Sequence, residues 1–421
     1  MRLSEYNTSL SGLLAAQLGI STTKQNITNL QSDHYVRQKV NMNAFGAVPG
    51  SPGHGVKVLG IERVVDDIKT GQYNKQLSAV SYYEYMKTGL MNVESMFHAS
   101  GDNGLSTRID RFLQAWHEVS KNPTQPTYYQ TVVSEGVKFA SELNRVAADL
   151  RTAKAQAQED LKASVQAFNR IAGQLTNINK RIADASSVSN QLLNERDQLI
   201  SELSTYAQVE IGYESLNPNI STIRVGGMVV VSGTDAVSLT LENGTLQLNG
   251  MPAPLQGGRI KAAEELDKRT SVYLEELETF STNLTQKVND IAGQVFFENK
   301  GNLLQVNSAF VSNAFSLVMS AEKAEQIAQL KNTTSPLGIT YQKAMDQLSV
   351  KIATDTNTAI SHHTIHEEVL QGIDKDKRSV EGVNLDEEMV NLMMYQNYFT
   401  ANSKAIRVID ELYDTLFGIL S

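Results

Sequence analysis

The sequence predicts a mainly α protein with long helices, a coiled coil made by its terminal helices, and a small β-rich inserted domain. Three observations predict it. The eight prolines cluster at Pro49, Pro52, Pro123, Pro126, Pro218, Pro252, Pro254 and Pro336, and the wide gaps between them can hold long helices, whose interiors exclude proline. Apolar residues recur at seven-residue steps in both terminal segments and in the middle of the chain. One stretch switches instead to β-branched residues and turn signals.

At the start, Leu3, Tyr6, Leu10, Leu13, Ile20 and Ile27, widened by Leu14 and Leu18, give an amphipathic helix. It ends near "QNITNLQSDHYVRQ", after which Val36, Val40 and Met42 alternate as in a strand. "PGSPGHG" then reads as a flexible linker. Tyr83, Met86, Leu90, Val93 and Phe97 mark a helix stopped by "SGDNG". Ile109, Phe112, Trp116 and Val119 mark the next, ended by "KNPTQP". From Thr127 to about Asp184 the pattern predicts one long helix, with Leu161, Phe168, Leu175 and Ile182 as a seam and Ile171 and Ile178 between them. A further helix follows over Asn190 to Tyr206.

The β-rich stretch comes next. Leu239 and Leu241 face Leu246 and Leu248 across Asn243-Gly244, a hairpin signature. Helical pattern resumes from Ile260 to about Phe297, gives way to a looser stretch over "ENKGNLLQVNSAFVSNAF", and returns from Ala321 with a break near "NTTSPLG". The C-terminal segment carries the clearest period: Leu385, Leu392, Phe399, Ile406, Tyr413 and Leu420, all apolar. Tyr395, Ile409 and Leu416 hold a companion position, where Glu388 and Asn402 are the exceptions. Periodicity alone leaves two arrangements open. Both terminal helices can dock on the chain's own core, or they can pair and leave apolar flanks for further partners.

At 421 residues, 41% hydrophobic and 20% charged, the chain has material for two or three folded domains. A net charge of -9 argues against nucleic acid as a partner, and no apolar run is long enough to span a membrane. The absence of cysteine removes thiol chemistry, disulfides and Cys-ligated zinc. "MRLSEYNTSLSGLL" lacks the unbroken apolar region of a cleavable signal peptide. The sequons at Asn7, Asn26, Asn219, Asn243, Asn283 and Asn332 then read as chance matches.

Little in the chain suggests catalysis. His362 and His366 in "SHHTIHEEV" share a helix face, and His363 pairs with Glu367 at the same spacing. No third ligand is tied to them, so an exposed polar face is the better account and no metal site is expected. The glycine pairs Gly226-Gly227 and Gly257-Gly258 lack the Lys-Ser/Thr of a phosphate loop. Asp386, Glu387 and Glu388 favour a helix N-terminus electrostatically. No nucleophile, base and orienting group come together, and neither a catalytic residue nor a cofactor is expected.

The two ends together resemble the bacterial flagellar axial proteins, the rod, hook and junction family. Asn26, Ile27 and Asn29 match its N-terminal core, and Tyr35, Arg37 and Gln38 match its Tyr-x-Arg-Gln exit. Gln25 replaces the usual first Asn, and His34 stands where Gly is common. "GVNLDEEMVNLMMYQNYFTANSKAIRVIDELYDTL", which holds Asn384, Asp386, Glu387, Gln396 and Asn402, is similar to the C-terminal motif nearly throughout. "NQLLNERDQLISELSTYAQVEI" and the helix, proline break and long helix from Phe112 to Asn144 resemble the members that form the first hook–filament junction. A larger outer domain is common in the family, and here the stretch from Glu298 to Ala321 is too short to hold one.

The resemblance implies three domains: residues 1–45 with 383–421 as the terminal coiled coil of an inner tube, 46–206 with 258–382 as a helical middle, and 207–257 as the β-rich insertion. It implies a structural adaptor with no turnover, assembled as a ring of its own copies between the hook protein and a second junction protein. It implies type III export to the cell exterior and an export chaperone bound at the C-terminal region. Asn402 is expected to fix register between the terminal helices or between subunits, or to lie partly exposed without a special role. Rival readings are another axial protein, such as the second junction protein or the hook protein, or a helical metal-dependent enzyme.

Overall fold

The computed structural model describes residues 3–32, 34–46, 53–97, 104–242, 244–300, 303–333 and 340–420. They form a mainly α protein of long helices with a few small antiparallel sheets. Helix α1 (Leu3–Thr28) leads into the hairpin β1 (Gln38–Ala44) and β2 (Val56–Arg63). "PGSPGHG" falls in the turn region of this hairpin: Pro49 and the residues 50–52 lie outside the described set, and His54 N donates to Phe45 O at its closing end.

Four helices follow: α2 (Asp67–Phe97), α3 (Leu105–Lys121), α4 (Pro126–Asp184) and α5 (Asn190–Tyr206). Pro126 sits in the first turn of α4, where its missing N–H costs nothing. Ser189 caps α5 by accepting from Leu192 N. After the β-rich stretch come α6 (Gly258–Ala292), the hairpin β10 (Phe297–Lys300) and β11 (Leu303–Val306), then α7 (Ser308–Ser312) and α8 (Ala321–Ala328). Two long helices, α9 (Tyr341–Glu381) and α10 (Leu385–Leu420), close the chain.

The β-rich stretch holds two sheets in strand order. One comprises β3 (Glu210–Tyr213), β4 (Ser221–Val225), β5 (Met228–Ser232) and β6 (Asp235–Ala236). The other comprises β7 (Leu239–Glu242), β8 (Thr245–Leu248) and β9 (Met251–Pro252). Leu239 pairs with Leu248 and Leu241 with Leu246, the register expected from the sequence, although Asn243 of the turn lies outside the described residues.

Two large cores stabilise this arrangement. In the first, Phe112 and Trp116 of α3, Phe139 of α4, Phe296 and Phe297 pack ring against ring and are fully buried. The second joins Leu161, Phe168 and Leu175 of α4 and Ile200 of α5 to Ile223, Val230 and Leu246 of the sheets. The loose reading of residues 298–315 needs correction, because β10, β11 and α7 occupy it and bury Leu304, Val306 and Phe310 over the aromatic cluster.

One local device recurs. Helical asparagines hold a strand residue by both of its backbone groups, the amide nitrogen donating to the C=O and the amide oxygen accepting from the N–H. Asn26 does this to Gln38, Asn144 to Leu304, Asn169 to Leu239, Asn179 to Ser221 and Asn289 to Phe297, with bonds of 2.7–3.1 Å. Each completes the hydrogen bonding of backbone that the small sheets leave unpaired.

Candidate assembly site

Helices α1 and α10 run antiparallel, and their contacts centre on the companion heptad of α10, with the half-buried leucine heptad at its flank. Gly12 lies against Asn402: a Cβ there would come 2.8 Å from Asn402 Oδ1. Seven residues on, a Cβ at Gly19 would come 2.6 Å from Cδ1 and Cε1 of Tyr395. Seven further, Asn26 Nδ2 donates to Glu388 Oε2 at 3.1 Å. The companion heptad of α10 therefore meets Gly12, Gly19 and Asn26 of α1, and Ala15 and Ala16 between the two glycines are buried.

The leucine positions behave differently. Leu10 and Leu385 are exposed, while Leu13, Ile20, Ile27, Leu392, Phe399, Ile406 and Tyr413 are half-buried. Ile409, at the companion position, is buried. The side chains of Leu3, Leu416 and Leu420 lie outside the described set. Leu14, Met389, Val390, Met393, Val408 and Leu412 add to the apolar surface that the pair leaves uncovered. The apolar spacing of the two helices foretells such surface, but not which face the partner helix takes.

Asn26, Tyr35, Arg37, Gln38 and Glu387 of the family motif gather with Glu388 where the helix pair meets the rest of the chain, whereas Asn29, Gln396 and Asn402 lie apart. Asn26 is buried, and its Oδ1 accepts from Tyr35 Oη at 2.9 Å as well as from Gln38 N. Arg37 donates from Nε to Glu388 Oε1 and from Nη1 to Glu387 Oε2, both at 2.8 Å. Burial and the nearby Glu388 carboxylate push the Tyr35 hydroxyl up to about 12, so it stays a donor. Gln38 Oε1 accepts from Asn190 Nδ2 at 3.0 Å, tying the exit segment to α5. Asn384 Oδ1 accepts from Asp386 N at 2.9 Å and starts α10 as its cap. Asn29 bonds locally to Gln25 O and Ser32 Oγ, and Gln396 is exposed.

Glu381, which sequence reasoning missed, completes the joint. It is buried at the end of α9 and accepts from Asp66 N and Thr70 Oγ1, both at 3.0 Å, and from Lys377 Nζ at 2.9 Å. Its backbone C=O accepts from Arg37 N at 2.8 Å. His34 adopts φ 62°, a left-handed conformation that favours glycine, which accounts for the motif position it breaks. Asn402 donates to Tyr398 O of its own helix at 2.8 Å.

The histidine stretch lies on α9 against α2. Tyr83 stacks on His362 and His366, with ring centroids 4.8 and 5.1 Å away. His363 is buried, 2.5 Å from Glu84 Oε2, so this part of the expected exposed face is an interhelical contact instead. Among the described residues, no three metal-ligating side chains cluster.

A family model described as the flagellar hook-associated protein FlgK helical domain matches residues 90–302, half of the chain. A second, the flagellar basal body rod FlgEFG protein C-terminal, matches residues 379–419. Flagellar hook-associated protein 1 of Bacillus subtilis (strain 168) is 22% identical over 98% of this chain and 97% of its own length. The protein of that name from Salmonella typhimurium is 22% identical over 98% and 99%. The solved flagellar hook junction protein FlgK from Burkholderia pseudomallei is 22% identical, with a TM-score of 0.47 over 53% of this chain and 43% of that one.

Proposed function

The chain belongs to the FlgK family of flagellar hook-associated proteins, and from that membership we propose that it joins hook to filament as a ring of identical copies. The observation that carries the reading is the apolar surface left on both terminal helices after they pair, from Leu10 and Leu14 to Met389, Met393 and Val408. Surface of this kind marks an interaction site. In a ring, neighbouring copies cover it and the paired helices line the inner tube. Residues 46–206 with 258–382 form the next shell, and residues 207–257 face outward. The subunit crosses the export apparatus unfolded, delivered by a chaperone at its C-terminal region, and contacts the hook protein on one side and a second junction protein on the other. Its work is packing, with no turnover.

Removing the protein from its source organism tests this. Hooks are expected to form normally while filament subunits escape into the medium. Motile cells with attached filaments would exclude the role.

A further inference from the structure

We infer that the buried Asn26–Glu388 contact sets the register of the terminal helix pair, excluding the heptad-shifted alignments that its leucine pattern would allow. This concerns the chain's own fold and stands apart from the junction role. The heptad Leu385, Leu392, Phe399, Ile406 and Tyr413 is apolar at every step, so sliding α10 by seven residues replaces one apolar side chain with another. The companion heptad is not neutral to such a slide. Glu388 is 2% exposed, and its partners come from the opposite end of the chain: Asn26 Nδ2 at 3.1 Å and Arg37 Nε at 2.8 Å.

A shift by one heptad in one direction sets Tyr395 against Asn26, and in the other sets Glu388 against Gly19. Either shift separates the Glu388 carboxylate from both donors in a buried place, where an unpartnered charge is costly. Asn26 cannot follow the slide, because both amide groups hold the backbone of Gln38. Among the described residues, Asn402, the other polar residue of the companion heptad, bonds within its own helix and meets Gly12 by close approach without a hydrogen bond. The hydrogen-bonded contact, rather than Asn402, therefore discriminates between alignments.

The chain has no cysteine, so disulfide trapping in the full-length protein is clean. Tyr395→Cys with Gly19→Cys reports the observed register, and Tyr395→Cys with Gly12→Cys reports the alignment one heptad away. Under reversible thiol–disulfide exchange the cross-linked fraction follows the population of each alignment. The first combination is expected to cross-link within the chain, with the second about tenfold weaker or less, given the cost of an unpartnered buried group. In an Asn26→Leu, Glu388→Leu background the second should approach the first. Should that background not fold, as judged by helix content, Asn26→Ala with Glu388→Gln replaces it. Equal trapping in the unaltered background would overturn the inference, as would absence of trapping there. So would retention of the observed register alone in a folded background lacking the contact.

Discussion

Gly19 lies so close to the ring of Tyr395 that a Cβ on the glycine would sit 2.6 Å from two ring carbons. In an ordinary helix Gly→Ala stabilises by about 1 kcal/mol. Here the sign is expected to reverse, because Tyr395 must move or the helices must part. Gly19→Ala should speed proteolysis of the first and last helices. Gly173→Ala in α4, with open space around the added methyl, should instead raise thermal stability by the ordinary amount.

Asn402→Leu is expected to leave the helix register unchanged, since among the described residues the asparagine hydrogen-bonds within its own helix and not across the pair. The same cysteine combinations that report register would measure it. A shift of register in this variant would return the aligning role to Asn402.

Loss of an asparagine clamp should be felt in the body of the protein. Asn169→Ala removes the partner of both Leu239 N and Leu239 O and is expected to cost about 1–3 kcal/mol in denaturant unfolding. Hydrogen exchange at the Leu239 amide should rise more than exchange elsewhere.

Phe296 is fully buried and touches Phe112, Trp116, Phe297 and Phe310. Phe296→Ala should destabilise this core by about 3–5 kcal/mol. Trp116 is the single tryptophan, so its fluorescence reports the transition directly.

The α2–α9 seam should weaken in mild acid. His366 is held below its ordinary pKa, about 6.5, by burial first and then by the charge of His362. Its Nδ1 faces Gln76 Nε2 at 2.8 Å, a contact that the neutral ring accepts. A group that binds its proton less tightly when folded contributes stability fully above its unfolded pKa. That contribution is lost as pH falls below about 6.5 towards the folded value. His366→Gln should flatten the fall in denaturant stability across this range relative to the unaltered chain.

Helix placement was legible because proline exclusion and apolar spacing are local rules. Thr127 to Asp184 reads as one helix, and α4 spans Pro126–Asp184. The hairpin register at Leu239 and Leu248 was legible for the same reason. Which face of α10 meets α1 was not, since a leucine heptad announces itself more strongly than glycines that matter by lacking a side chain. Glu388 and Asn402 stood out as exceptions to the companion heptad, and that was the available signal. Glu381 gave none, because its role depends on Arg37, Asp66 and Thr70, distant along the chain. The asparagine clamps were hidden too: an asparagine in a helix reads only as a weak helix former until its strand is in place.

Those clamps reach beyond stability. A bare sheet edge invites a strand from another molecule, which is how folded chains stick to one another indiscriminately. Gln38, Ser221, Leu239, Phe297 and Leu304 each offer both backbone groups to a helix of their own chain, so none is open to a stranger's strand. Crowded copies of this protein are thereby steered away from intermolecular β-pairing at these five places, leaving the uncovered helix faces to govern which neighbour is accepted.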